Sequence, residues 1–243
     1  MSNLTTKIAA VSCTLVIGPS MAFAAPAQEC DVVIIGAGGA GISSAIALKE
    51  AGKQKVCLIE KMPFVGGATN LAATYFTVIN TKEQQAAGKG QSIEKYLESK
   101  KKQNYPYDMD RLKEFSESSQ EALDWVNKIG ANITRPMSSY QMGTADGRSL
   151  GNALILAMKK KLDESGVVPM LSTKATKLVT KDGKITGVMT EGKDGENLLK
   201  TNYVIVATGG YSSGQEVLKK FAPEWAGLPS TSAVGSTGDA VGL

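Results

Sequence analysis

One stretch of eleven residues constrains this chain more than any other. Asp31-Val-Val-Ile-Ile-Gly36-Ala37-Gly38-Gly39-Ala40-Gly41 sends an apolar strand straight into Gly36-x-Gly38-x-x-Gly41, and a helix of small residues, Ile42 to Lys49, opens behind it. A second apolar run, Val56 to Ile59, ends in Glu60. Strand, glycine turn, helix, strand and acid at this spacing describe a βαβ unit that holds a dinucleotide. Gly36 permits the tight turn out of the strand. Gly38 has no Cβ, so a pyrophosphate can come close to the backbone, and Gly41 lets the helix close on the strands. The helix N-terminus offers N–H groups and a partial positive charge to the phosphates. Glu60 can accept hydrogen bonds from ribose hydroxyls and repels a 2′-phosphate, which favours NAD or FAD over NADP.

The N-terminal end reads as an export signal, not as part of this fold. Lys7 supplies a positive start, Ile8 to Gly18 a short apolar core, and Ala22-Phe23-Ala24 a cleavage site before Ala25-Pro26. The apolar run is shorter than the roughly 20 residues of a membrane span. No twin-arginine pair is present, so the expected route is general secretion, with cleavage after Ala24 and a periplasmic destination. Residues 25–243, about 220 in number, are enough for one large domain or for a domain plus an insertion. Export keeps two readings open for the cysteines of the mature chain: a Cys30–Cys57 disulfide, or a buried inert Cys57 thiol among Val56, Leu58 and Ile59. The chain has no histidine. It also has no CxxC, so neither a histidine-based metal site nor a CxxCH haem attachment is expected, and no metal. The net charge of +4 is dispersed along solvated helix faces, which gives no argument for nucleic acid.

Beyond the first unit, Pro63 to Asn70 is a loop with paired glycines, Gly66 and Gly67. Apolar spacing predicts helices over residues 91–103, 108–129 and 150–164, with Asp108 capping the second and Gly130 stopping it. Residues 132–149 read as a polar linker. Strands are expected at Val167–Leu171, Lys174–Thr180, Ile185–Thr190 and Leu198–Lys200, with a hairpin turn at Lys181-Asp182-Gly183-Lys184. The continuous apolar run Tyr203 to Ala207 reads as a buried parallel strand, ending in Thr208-Gly209-Gly210. The last residues, Thr237-Gly238-Asp239 onward, look like a loop entering a helix.

Taken in order, four motifs resemble the fumarate reductase/succinate dehydrogenase flavoprotein family, with exported flavocytochrome c-type reductases the nearest likeness. They are Val32 to Gly41 with Glu60-Lys61; Val65-Gly66-Gly67-Ala68-Thr69-Asn70; Val204 to Gly210; and Thr237-Gly238-Asp239. The resemblance covers residues 30–243. It implies a Rossmann-like α/β FAD-binding domain with a parallel sheet and ββα excursions, incomplete at its C-terminus.

The resemblance also implies roles. Gly36, Ala37, Gly38, Gly39, Ala40 and Gly41 would hold the FAD pyrophosphate and Glu60 the adenosine ribose, with Lys61, among the cofactor-binding residues, following the acid as is usual there. Gly66, Gly67, Ala68 and Thr69 would run past the pyrophosphate towards the flavin, their N–H groups forming a nest. A backbone contact near Ala175 would meet the adenine. Thr208, Gly209 and Gly210 would floor the site, and Asp239 would reach the ribityl chain or phosphates. Thr74-Tyr75-Phe76 departs from the small residues usual there and reads more readily as core packing. Arg148 is a weaker candidate near the cofactor.

The family's reaction is hydride transfer from flavin N5 to the C=C bond of a small unsaturated carboxylate. Its acid and carboxylate-binding groups lie in a capping domain that follows the Thr-Gly-Asp motif, so no catalytic residue is assigned within these 243 residues. The implied electron donor is a separate cytochrome or quinol-linked protein. The other reading is a non-catalytic FAD-binding subunit, truncated or split, that needs a second polypeptide carrying the cap.

Overall fold

The computed structural model describes residues 27–103 and 105–243; the signal-like segment 1–24 lies outside the described residues. In chain order the first elements are β1 (Gln28–Glu29), β2 (Val32–Ile35), α1 (Gly39–Glu50), β3 (Val56–Ile59) and β4 (Phe76–Thr77). Next come α2 (Lys82–Ala86), α3 (Ile93–Lys101), α4 (Met109–Glu117), α5 (Ser119–Lys128), β5 (Arg135–Ser138) and β6 (Gln141–Gly143). The chain then forms α6 (Leu150–Glu164), β7 (Lys174–Lys181), β8 (Lys184–Gly192), β9 (Gly195–Lys200), β10 (Val204–Val206) and α7 (Gln215–Phe221).

Three layers position the site. The central one is a parallel sheet in the order β10-β2-β3, with Ile34 paired to both Ile205 and Leu58. All four β2 side chains are buried, because successive residues face opposite layers and both layers are covered. Val32 and Ile34 pack with α1 and α6 through Ile42, Ile46, Leu154 and Leu162. Val33 and Ile35 pack the other way, with Ile59, onto Ala175, Val188 and Leu199 of a second sheet, β1-β9-β8-β7. A small third sheet, β4-β6-β5, carries Phe76 against the helical layer, so this residue of the aromatic departure is core packing. The architecture is the expected Rossmann-like α/β fold.

Several local expectations need correction. The helix expected over 108–129 is two helices that divide at Ser118. The hydroxyls of Ser116, Ser118 and Ser119 donate to the carbonyls of Leu112, Glu114 and Phe115, drawing acceptors from the helix ladder. Asp108 does cap the first piece, accepting from the Arg111 N–H, and Gly130 follows the second at φ 101°. Val167–Leu171 is not a strand: it meets the sheet only where Met170 bridges Ile59, and Ser172 then turns the chain at φ 51°. The linker 132–149 contains the β5–β6 hairpin. β10 is parallel as expected but stands at the sheet edge, with Val206 exposed and its neighbours half-buried. The Lys181–Lys184 turn joins β7 to β8, with Asp182 and Gly183 both at positive φ.

The open cysteine question resolves as a Cys30–Cys57 disulfide with both residues buried. Cys57 sits opposite Val33 on β2, and Cys30 belongs to the segment leaving β1, so the bond ties the parallel sheet to the four-stranded sheet.

Candidate dinucleotide site

The carboxyl ends of β2, β3 and β10 open onto a cleft of about 560 Å3. This is where ligands bind in parallel α/β sheets, and the glycine turn forms its near wall. Three glycines of one motif stand there for different reasons. Gly36 turns at φ 103°, and a Cβ on it would strike the Ala207 carbonyl. A Cβ on Gly41 would strike the Gly36 carbonyl, so α1 can close on the strand end only with glycine there. Gly38 is different. Its backbone, at φ −78° and ψ −171°, suits any residue, and a Cβ would meet no protein atom nearer than the Gly66 carbonyl oxygen at 3.9 Å. The protein itself does not need glycine at 38; the open space beside it in the cleft fits a pyrophosphate.

The start of α1 is arranged for an anion. Gly38 is its N-cap and brings no side chain to cap it, and its first turn carries no acid. The Gly39 N–H donates to Thr69 Oγ1 at 3.2 Å, which leaves the rest of the turn's N–H groups and the positive end of the dipole at the cleft. The loop after β3 runs alongside: the Gly66 N–H donates to the Ala37 carbonyl, and Gly67, Ala68 and Thr69 line the cleft. Behind that loop, Gly151 at the start of α6 donates to the Ala72 carbonyl at 2.7 Å, and a Cβ there would strike the Thr69 carbonyl.

Glu60 is buried at the end of β3. One carboxylate oxygen accepts the Ala37 N–H at 2.8 Å and the other the Met62 N–H at 2.9 Å, which fastens the glycine turn to β3. A carboxylate has about four acceptor positions, so both oxygens can still take hydroxyl donors from the cleft side. Across the cleft, Lys61 Nζ pairs with Asp239 Oδ2 at 2.7 Å and donates to Thr237 Oγ1, which itself donates to Asp239 Oδ1 at 2.7 Å. Burial pushes the Asp239 carboxyl up, but the hydrogen bonds from Lys61 and Thr237 and the charges of Lys61 and Lys174 outweigh it and hold it below its ordinary value. Asp239 follows Gly238 and does not act as the cap of the short turn it begins.

Of the residues expected here, Gly36, Gly38, Gly39, Ala40, Glu60, Lys61, Gly67, Ala68, Thr69, Ala175, Thr208, Gly209 and Asp239 line the cleft. Ala37, Gly41, Gly66 and Gly210 do not: Ala37 and Gly41 build the turn, Gly66 donates its N–H to the Ala37 carbonyl, and the Gly210 carbonyl accepts the Gly238 N–H. Arg148 is elsewhere, paired on the surface with Asp146. Sequence reasoning missed the far wall, Thr231 to Ser236, and the contributions of Met62, Phe64, Leu71 and Thr173. The small polar residues of Ser230–Ser236 signal only a loop, and nothing in their spacing says which cavity that loop faces. Gly151 was missed because a glycine in an apolar helix reads as a weak point, not as a close approach.

Fold and cleft together define an α/β protein that holds a dinucleotide at the carboxyl edge of its parallel sheet. The FAD binding domain family matches residues 31–243, and the chain belongs to it. The cofactor is FAD. The chain is 30% identical over 230 residues to the probable fumarate reductase Ifc3 of Shewanella frigidimarina, covering 90% of this chain and 38% of that protein. It is 33% identical over 223 residues to a urocanate reductase of Eggerthella lenta, covering 87% of this chain and 37% of that one. Among solved structures, the open conformation of a flavocytochrome c3 fumarate reductase superposes with a TM-score of 0.82 at 28% identity, over 89% of this chain and 40% of that one. The chain thus spans well under half the length of these relatives, within the fumarate reductase type of flavoprotein.

Proposed function

We propose that this chain is the flavin-holding part of an oxidoreductase that reduces the C=C bond of a small unsaturated carboxylate. The observation that carries this reading is the space at Gly38, beside an uncapped helix start, in a chain whose relatives include reductases of fumarate and urocanate. Both of those acids carry a C=C bond conjugated to a carboxylate. When bound, FAD supplies the hydride chemistry. The chain's own residues hold and orient it. Gly38 to Ala40 and the start of α1 take the pyrophosphate, Glu60 the ribose, Gly67 to Thr69 the path towards the flavin, and Ala175 the adenine side. Phe64 and Leu71 are apolar and exposed at the cleft, where they exclude water once a cofactor covers them.

The reaction also needs a proton donor and groups that bind the substrate carboxylate. Among the described residues lining the cleft, the charged ones are Glu60, Lys61 and Asp239, each engaged with backbone or with one another. Those two roles therefore fall to groups outside this cleft, on a capping segment or a second polypeptide. Electrons arrive from a cytochrome or quinol-linked partner. Export through residues 1–24 suits the buried disulfide, since such bonds persist in oxidising compartments. No helix of the described residues is long and apolar enough to cross a membrane.

The test is a titration of the full chain with FAD, followed by absorbance and flavin fluorescence, with viologen-linked reduction of fumarate and urocanate measured alongside. Stoichiometric FAD binding is expected, with turnover appearing only when the capping polypeptide is supplied. A folded chain that takes up no FAD would falsify the reading.

A further inference from the structure

The two walls of the cleft are far apart in sequence and joined at one point. The far wall, Thr231 to Ser236, has no helix or strand of its own. Its local ties run to the segment after β10: the Ser213 N–H donates to the Ser236 carbonyl at 2.9 Å, Ser213 Oγ to the Ala233 carbonyl at 3.0 Å, and the Gly238 N–H to the Gly210 carbonyl at 3.1 Å. To the near wall it is tied by Lys61. This side chain leaves the end of β3, passes Gly235, where a Cβ would stand 3.6 Å from Lys61 Cε, and ends on Thr237 and Asp239.

The ion pair differs from the rest on the surface. Lys61 and Asp239 are only 20% and 19% exposed, whereas every other pair among the described residues has at least one partner close to half exposed or more. Such shielded, doubly hydrogen-bonded charges are screened far less than solvated ones. Lys61 is also the sole cation among the described residues lining the cleft. Its charge is already spent on Asp239, which leaves the helix start as the main attraction for a pyrophosphate.

We infer that Lys61 is a positioning residue: it pins Thr237 and Asp239 to the end of β3, sets the far wall before any cofactor binds, and slows the cofactor's escape. This rests on the FAD reading for its second half only. The pin itself is a property of the bare chain.

Two measurements on the full chain test it. Hydrogen exchange on cofactor-free protein compares wild type with Lys61→Met, which keeps most of the side-chain stem, and with Lys61→Arg, which keeps the charge. Lys61→Met is expected to speed exchange across residues 231–239 by about tenfold, the factor that follows from losing about 1.4 kcal/mol of local stability. Exchange in α1 should not change, and Lys61→Arg should stay near wild type.

The second measurement is the FAD dissociation rate in Lys61→Met, Asp239→Asn and the double variant. A pin predicts faster release in each single variant and no further acceleration in the double, because both substitutions remove one interaction. Multiplying effects would overturn the proposal and make Lys61 an independent counter-ion for the phosphates. Unchanged exchange in Lys61→Met would overturn it as well. Failure of the FAD reading is seen separately, as a wild-type chain that binds no FAD, and leaves the exchange result standing.

Discussion

The two walls of the cleft are built by different means. The near wall is backbone: a glycine turn at φ 103°, a helix start without a cap, and a buried carboxylate that fastens one to the other through two N–H groups. The far wall is a loop without helix or strand, held by backbone and hydroxyl bonds to the segment after β10 on one side and, towards β3, by the Lys61 side chain. Backbone geometry leaves a spacing in the sequence; side-chain ties across 176 positions leave none. The near wall should therefore fail through folding when altered, and the far wall through mobility, with Gly38 the one near-wall residue whose loss touches binding alone.

The largest effect is expected at Gly41. Alanine there drives a Cβ into the Gly36 carbonyl at the point where α1 crosses the strand end. The clash is with backbone, so either the helix moves off the sheet or the turn opens, which places this substitution among the rare losses above about 4 kcal/mol. Thermal melting and soluble yield of Gly41→Ala check this, and both should fall sharply even with excess FAD. A wild-type melt would mean that the close approach is not what requires glycine.

Next is the disulfide. Reducing Cys30–Cys57, or replacing both by serine, removes a 27-residue closure between the two sheets and should cost about 2–4 kcal/mol. The melting temperature should drop by roughly 4–16 °C for a domain of this size. Ile35, Ile59 and Ala175 line both the cleft and this sheet interface, so FAD affinity should fall too. An unchanged melt on reduction would show that the packing of Val33, Val188 and Leu199 holds the sheets without it.

Gly38→Ala isolates binding from folding. The new methyl meets no protein atom within 3.9 Å and the backbone accepts it, so the melt of the cofactor-free chain should shift by less than about 0.5 kcal/mol. FAD affinity should drop at least about tenfold, which is 1.4 kcal/mol, if the pyrophosphate approaches at Gly38 as proposed. Equal affinity in a titration would place the pyrophosphate elsewhere. Set beside Gly41→Ala, this divides a single glycine motif into a residue the fold needs and a residue the ligand needs.

That division also explains what could be read from the chain. The βαβ unit was legible because a Cβ at Gly36 or Gly41 would strike backbone, and because the Glu60 carboxylate takes two backbone N–H groups at a fixed distance along the chain. The β7–β8 turn was legible from its backbone as well: Asp182 and Gly183 both need positive φ. The break at Ser118 was not, because helical periodicity runs through it and only the back-bonding serines mark it. Edge placement of β10 was hidden as well, since an apolar run looks the same at the centre of a sheet as at its border. The disulfide needed the strand register that sets Cys57 beside the segment leaving β1.

The smallest effect expected is a response to acid confined to the far wall. Asp239 holds its carboxyl below its ordinary value of 3.8 in the folded chain, through Lys61 and Thr237, against the opposing pull of burial. A carboxyl lowered on folding contributes stability that is fully present above the unfolded value and is lost as pH falls through the folded one. The pin should therefore be intact at pH 5 and above and loosen below about pH 4, by roughly 1 kcal/mol or less for a pair still partly reached by solvent. Hydrogen exchange of residues 231–239 between pH 5 and 3, corrected for the intrinsic rate, should show this loosening in the wild type. Asp239→Asn has no such carboxyl and should be loose already at pH 5, with no further step. If wild type and variant follow the same acid profile, the ion pair does not hold the wall, and the two sides of the cleft are more alike than their construction implies.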